Sequence, residues 1–180
     1  DITPFDWETE FDKIFHSKNN SKDEIYNNKP VGKGFDCIIG NPPYIRIQEM
    51  QAWTPKTVEL YKNIYESGKS KNYDIYVIFI ERILSLINHD GLLGFILPNK
   101  YMQQEYGETI RRIISDGKHV SSIINFKDFQ VFQGATTYTS LLFLTKKANE
   151  YFKYAECDNE GMKFDFSEIE STRLSAAPWI

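Results

Sequence analysis

The sequence predicts an α/β fold, a sheet joined by crossover helices whose last two strands pair antiparallel. Three observations carry this. Short runs of β-branched and aromatic residues recur at 35–39, 92–97, 120–126 and 138–145. Stretches with apolar residues at helical spacing, 73–88 and 105–116, separate the first three runs. No helical stretch separates the last two, so a direct antiparallel return is expected there.

Length and composition bound the rest. At 180 residues and 41% hydrophobic content the chain suffices for one compact domain. A domain of that size buries roughly 70% of the surface its unfolded chain exposes. The aromatic fraction of 15% supplies both a core and rings for stacking. A net charge of −4 excludes a protein that coats nucleic acid by bulk charge, while leaving room for a local basic patch. Cys37 and Cys157 have neither paired nor metal-like spacing, and His16, His89 and His119 form no motif with them, so no metal site is expected. Cys37, inside the run FDCII, is expected to be a buried, reduced thiol. The first residues, DITP, carry no basic or apolar leader, and no apolar run reaches membrane-spanning length. A soluble cytoplasmic protein with no membrane partner is expected, the chain beginning inside a longer one.

Taken in order, PFDWETEFDKIF alternates aromatic and acidic residues and fits a short helix or an irregular packed segment. Residues 16–34, rich in Asn and Lys and without periodicity, read as an exposed loop. The run 35–39 is expected to be a buried strand, halted at Gly40. Pro55 to Tyr65 predicts a helix with Thr54 as its cap, Pro55 in the first turn and Val58, Tyr61, Ile64 and Tyr65 on one face. After a loop at 68–72, residues 73–88 predict a helix capped by Asp74 and ending before Gly91; its apolar residues on nearly every side imply near-complete cover. Residues 92–97 read as a buried strand stopped by Pro98, 105–116 as an amphipathic helix carrying Ile110, Ile113 and Ile114, and 120–126 as a strand. A loop over 127–137 leads to the last strand, and the tail from Tyr151 reads as a linker or the start of a following region.

The chemistry concentrates in GNPPY, residues 40–44. In an open α/β sheet, ligands bind at the carboxyl ends of strands. Two prolines fix φ and remove two backbone donors, which holds the side-chain oxygen of Asn41 and the carbonyl of Pro42 as a rigid pair of acceptors. Tyr44 adds a flat ring. Such a site suits a planar ring bearing an amino group: two acceptors take the two amino hydrogens while the ring stacks. Accepting both hydrogens favours a pyramidal nitrogen with a localised lone pair, and no general base is then obligatory. A stiff turn after a strand is the plainer reading of four such residues, but it leaves Asn41 and Tyr44 without a role.

The segment GFDCIIGNPPYIR, with FDWETEF upstream, resembles the amino-methyltransferase motif of gamma-class DNA adenine-N6 methyltransferases, including those of type IIG restriction–modification enzymes. The similarity continues through YDIYVIFIERILSLINHDGLLGFILPNKY to VFQGATTYTSLLFLTKK, over roughly residues 5–147 in the family's order. The resemblance implies a Rossmann-like sheet and transfer of a methyl group from S-adenosylmethionine to the N6 amino group of an adenine flipped out of double-stranded DNA. It assigns Asn41, Pro42, Pro43 and Tyr44 to catalysis, Tyr44 and Phe132 to the two faces of the flipped base, and Phe79 to the cofactor's adenine. Phe79 lies on an apolar helix, so a core role stands equally open. Arg46, Lys100, Lys127, Lys146 and Lys147 are cations within reach of a phosphate backbone, although scattered lysines are ordinarily just solvated.

The chain departs from the family in one respect. The glycine-rich turn for the cofactor's methionine and the acidic residue for its ribose do not appear; the one candidate, VGKG at 31–34, precedes a strand instead of joining strand to helix. Residues 1–147 are therefore expected to form the carboxy-terminal half of a methyltransferase domain with an incomplete cofactor site, and 148–180 a linker or the start of a target-recognition region. A fused or partner nuclease follows from the type IIG resemblance. Two rivals share these residues: an NPPY methyltransferase acting on protein glutamine or RNA, and a non-catalytic fragment that contacts DNA or a partner.

Overall fold

A computed structural model describes residues 5–15, 25–26, 29–30, 34–132, 137–157 and 163–179. Two short helices, α1 (Trp7–Glu10) and α2 (Asp12–Phe15), come first. Asp6 caps α1 by accepting from the Glu8 amide at 3.0 Å. The aromatic residues of this segment gather on one ring: Trp7, Phe11 and Phe15 meet Phe35 edge-on at centroid distances of 5.9, 5.2 and 5.4 Å. Two two-residue strands, β1 (Ile25–Tyr26) and β2 (Lys29–Pro30), pair with each other inside the stretch read as an exposed loop, most of which lies outside the described residues.

Among the described residues the main sheet has six strands, and the sequence indicated four of them. They are β3 (Phe35–Gly40), β4 (Ile87–Pro98), β5 (Val120–Asn125), β6 (Thr139–Thr145), β7 (Tyr151–Glu156) and β8 (Ser167–Glu170), in the order β3-β4-β6-β5-β7-β8. β3 runs parallel to β4, and β6 lies antiparallel to both β4 and β5. The expected return of β6 on β5 is therefore present, and β6 also wedges itself between β5 and β4. β7 lies parallel to β5 and β8 antiparallel to β7, so residues read as a linker extend the sheet. Phe152 and Ala155 of β7 are buried, as is Trp179 beyond β8. Their apolar side chains supply the reason: the sheet's face continues under them.

Four helices follow the same chain order: α3 (Ile47–Trp53), α4 (Pro55–Ile64), α5 (Tyr76–Leu86) and α6 (Glu108–Asp116). α5 is almost wholly buried along Tyr76, Val77, Ile78, Ile80, Leu84 and Leu86, as its all-round apolar character predicted. It is shorter than its periodicity suggested, because the chain turns into β4 at Ile87, opposite Phe35. Asn88 anchors that turn, donating to Asp36 at 2.7 Å and accepting from the Asp90 amide at 3.0 Å. Gly34 makes the junction possible. Its φ is +123°, and a Cβ there would lie 2.6 Å from the Leu86 carbonyl oxygen.

Two further expectations are corrected. Asp74 does not cap α5, whose N-cap is Ile75 with no side-chain bond; its carboxylate is taken by Tyr106 instead. β3 is not a buried strand, and Cys37 on it is exposed, not buried. Among the described strands β3 sits at the sheet's edge with β4 on one side only, and Ile39 on it is 78% exposed. An apolar run specifies a strand, and its place in the sheet is set by partners elsewhere in the chain.

Candidate active site

β3 and β4 are parallel and in register, Gly40 opposite Phe95, so their carboxyl ends emerge side by side. The Asn41-Pro42-Pro43-Tyr44 turn leaves the first and Pro98-Asn99 the second. Pro42 is buried; Asn41 and Pro43 are exposed. Among the described residues, the Asn41 amide and the Pro42 carbonyl make no hydrogen bond, so both acceptors remain available. Tyr44 is half-buried and its hydroxyl donates to the Ile96 carbonyl at 3.1 Å. Burial raises its pKa above the usual phenol value and keeps that donor protonated. Beyond the turn the chain is pinned to the start of α5: the Ile75 amide donates to the Ile45 carbonyl at 2.9 Å, and the Ile47 amide to the Tyr73 carbonyl at 2.9 Å.

A buried set of aromatic and polar groups supports Tyr44. Its ring meets Tyr76 edge-on, with centroids 6.3 Å apart and planes at 84°. The Tyr76 hydroxyl lies 2.7 Å from that of Tyr106, which donates onward to the Asp74 carboxylate at 3.2 Å. Desolvation pushes the Tyr76 and Tyr106 phenols up, so this relay stays protonated. Tyr76 also touches Tyr101, and Tyr101 touches Trp179, again edge-on. Sequence reasoning missed Tyr76 and Tyr106. Their only signal was that each lies in an element next to a loop of the site.

Phe132 is 39% exposed, in the segment between β5 and β6. The register of β6 against β4 and β5 places both ends of that segment at the carboxyl edge that bears the Pro-Pro turn. Residues 133–136, including Gly134, lie outside the described residues. Asn125 organises the near end. Its side-chain oxygen accepts from Asn99 Nδ2 and from the Lys127 amide, each at 3.1 Å, and its amide faces the Tyr154 hydroxyl at 3.5 Å. Lys127 takes the left-handed φ of 51° and pairs with Glu156, whose carboxyl is held below its usual range chiefly by that lysine. The far end closes through the Asn99 amide to the Tyr138 carbonyl at 3.0 Å. Tyr154 and Glu156 belong to β7, so a strand outside the predicted four reaches the site.

Phe79 is 36% exposed and lines a cavity of about 620 Å³, with Phe35, Ile39 and Arg82 among the walls. This settles its placement on a cavity wall instead of in the sealed core. Ile39 stands two residues before Asn41, so the cavity runs along β3 toward the turn. Its apolar walls fit a flat aromatic group such as a purine. Among the described residues Arg82 is the one charged side chain of these walls, and no described carboxylate lines the cavity to meet sugar hydroxyls. Among the described residues no group of three or more His, Cys, Asp or Glu could hold a metal, and no helix is long and apolar enough to cross a membrane.

A profile of the Eco57I restriction-modification methylase family matches residues 1–132. The chain is 41% identical over 122 residues to the type II restriction enzyme and methyltransferase RM.Eco57I of Escherichia coli, a match covering 68% of this chain and 12% of that protein. It is 31% identical over 153 residues to the type II methyltransferase M.BanIII of Aneurinibacillus aneurinilyticus, covering 85% of this chain and 25% of that one. Among solved structures, the type IIL restriction-modification enzyme MmeI in complex with DNA superposes with a TM-score of 0.58 at 14% identity, over 73% of this chain and 18% of that one. The type IIG restriction endonuclease BpuSI superposes with a TM-score of 0.54 at 12% identity, over 75% and 19%. These two likenesses establish the fold. The chain spans between 12% and 25% of the length of the two curated relatives.

Proposed function

The chain belongs to the Eco57I restriction-modification methylase family, and from that premise we propose that its parent protein methylates the N6 amino group of an adenine flipped out of double-stranded DNA. The observation that carries this reading is the pair of acceptors on Asn41 and Pro42, without a hydrogen-bond partner among the described residues and held at a strand end beside the ring of Tyr44. S-adenosylmethionine, when bound, supplies an electrophilic methyl group. The purine ring stacks on Tyr44, and Phe132 closes on its other face. The two acceptors take the amino hydrogens, localise the nitrogen lone pair and offset the positive charge that grows there during in-line attack. Pro43 keeps the acceptors rigid. Since the oxygens act as dipoles and not as bases, the surplus proton passes to water.

Phe79 and the apolar wall along β3 receive the adenine of the cofactor, while groups for its methionine and ribose come from chain outside these residues. On this reading residues 1–147 are the carboxy-terminal half of the catalytic domain. Residues from 148 lead toward a target-recognition region, staying on the sheet through β7 and β8. A type IIG organisation, with a fused nuclease in a cytoplasmic enzyme, accords with the restriction activity named for RM.Eco57I.

The test is to incubate the full-length protein with DNA and labelled cofactor, then digest the DNA and identify the methylated nucleoside. N6-methyladenine is expected. Asn41→Ala should lower kcat by about 10²–10³-fold, the usual cost of removing one transition-state acceptor or donor. Methylation found on cytosine, RNA or protein glutamine, or an Asn41→Ala enzyme within about twofold of the parent, would refute the assignment.

A further inference from the structure

The five cations near the predicted loops are sorted by the fold. Lys127 is paired with Glu156. Lys146 donates to the Ser85 and Ile87 carbonyls, at 3.4 and 3.0 Å, and so sits where β4 begins, at the opposite edge of the sheet from the Pro-Pro turn. Lys147 follows it at the same far end of β6. Arg46 and Lys100 remain. Arg46 stands two residues after Tyr44, and Lys100 two residues after Pro98 at the end of β4. Both are exposed, and neither makes an ion pair among the described residues.

These two residues line one polar cleft of about 420 Å³, together with Gln48, Asn72, Asp74 and Tyr106. Among the described residues Asp74 is the cleft's one carboxylate, and its oxygen is engaged by the Tyr106 hydroxyl. The cleft thus carries two cations against one carboxylate in a chain whose net charge is −4. Gln48 and Asn72 bond each other across its rim, which adds neutral donors beside the cations. Such a local positive site, with neutral donors and open to solvent, suits an anionic oxygen group such as a phosphodiester better than an apolar or cationic partner.

We propose that the Arg46–Lys100 cleft binds the sugar–phosphate backbone of the DNA strand that carries the target adenine. The inference rests on the function proposed above and adds to it a place for the strand. The Pro-Pro turn receives the extruded base, and its neighbour in the chain, Arg46, meets the phosphate from which that base swings. Contacts of this kind fix register and orientation without reading sequence. Asp74 ties the cleft to Tyr76 and so to Tyr44, which couples the backbone grip to the ring that receives the base.

The test measures DNA affinity of the full-length protein by fluorescence anisotropy between about 50 and 200 mM salt. Each phosphate contact contributes close to one unit to the slope of log affinity on log salt. Arg46→Gln with Lys100→Gln should shallow the slope by about two units and weaken cognate and non-cognate DNA alike. Arg46→Lys with Lys100→Arg should keep the slope, since charge is retained, and Lys147→Gln should leave it unchanged. A slope unaltered in the Gln double variant, or a loss confined to cognate DNA, overturns the proposal. The nucleoside assay on the unsubstituted protein separates this from failure of the reading beneath it: adenine methylation with an unaltered slope removes the cleft's role alone.

Discussion

Asn41 and Asn125 show two ways in which one residue type enters the site. Asn41 was legible because its setting is covalent: two prolines after it stiffen the chain whatever surrounds it. Asn125 was not, since its partners Asn99 and Tyr154 lie 26 and 29 residues away and no local pattern announces them. Phe132 falls between, placed in a loop by sequence and at the carboxyl edge by register. If it stacks on the base, Phe132→Ala removes roughly 1–3 kcal/mol of base–aromatic contact. Activity at saturating DNA should fall between about 5- and 150-fold, and a 2-aminopurine placed at the target should lose its extrahelical fluorescence. Full activity in that variant would remove the base sandwich and favour a substrate with no ring.

At the scale of elements, the turn from α6 into β5 holds a testable ionisation. Lys118 has a left-handed φ of 50°, and His119 then donates from Nδ1 to the Thr145 carbonyl at 2.9 Å. Burial lowers the His119 pKa below 6.5, with the Lys146 ammonium acting in the same direction, although the carbonyl bonds oppose both. The folded state therefore prefers neutral imidazole. Its contribution to stability is complete above pH 6.5, and falls as the pH drops below that value toward the depressed folded one. Thermal midpoints measured from pH 7.5 to 5 should decline over that interval, and His119→Gln should flatten the step. An unchanged step in the variant would assign the decline to other groups. β3 gives the complementary lesson. Its residues made a strand predictable, but its place at the edge among the described strands and the exposure of Cys37 and Ile39 depend on which other elements pack beside and over it.

Over the whole molecule, Arg111 joins regions that the sequence left separate. It is 2% exposed and donates to the carbonyls of Tyr101, Gln104 and Ala176 at 2.7, 2.7 and 2.8 Å. One guanidinium on α6 thus ties the segment after β4 to the chain's last described turn, where Trp179 packs on Tyr101 and its amide donates to the Met102 carbonyl at 2.7 Å. Arg111→Met fills similar volume but leaves the Tyr101 and Ala176 carbonyls without their donor, while Gln104 keeps the Gly107 amide; each lost bond costs about 1–3 kcal/mol where water cannot reach. The melting temperature should fall by several degrees, and amide exchange should quicken around residues 176–179 before it does in β4. Uniform exchange across both segments would show that the tie is not local.

By itself the sequence determined the α/β class, the helices α4, α5 and α6, the strands β3 to β6, and the rigid acceptor turn at Asn41–Tyr44, because each depends on local periodicity or on the covalent stiffness of proline. The tertiary structure decided which strand stands at the edge, that β7 and β8 continue the sheet, that Arg46 and Lys100 share a cleft while Lys127 and Lys146 do not, and that Phe79 faces a cavity. Those outcomes depend on contacts between residues far apart in the chain. Such contacts are decided by how buried surface and hydrogen-bond partners are distributed over the whole fold, and no short stretch of sequence records that distribution.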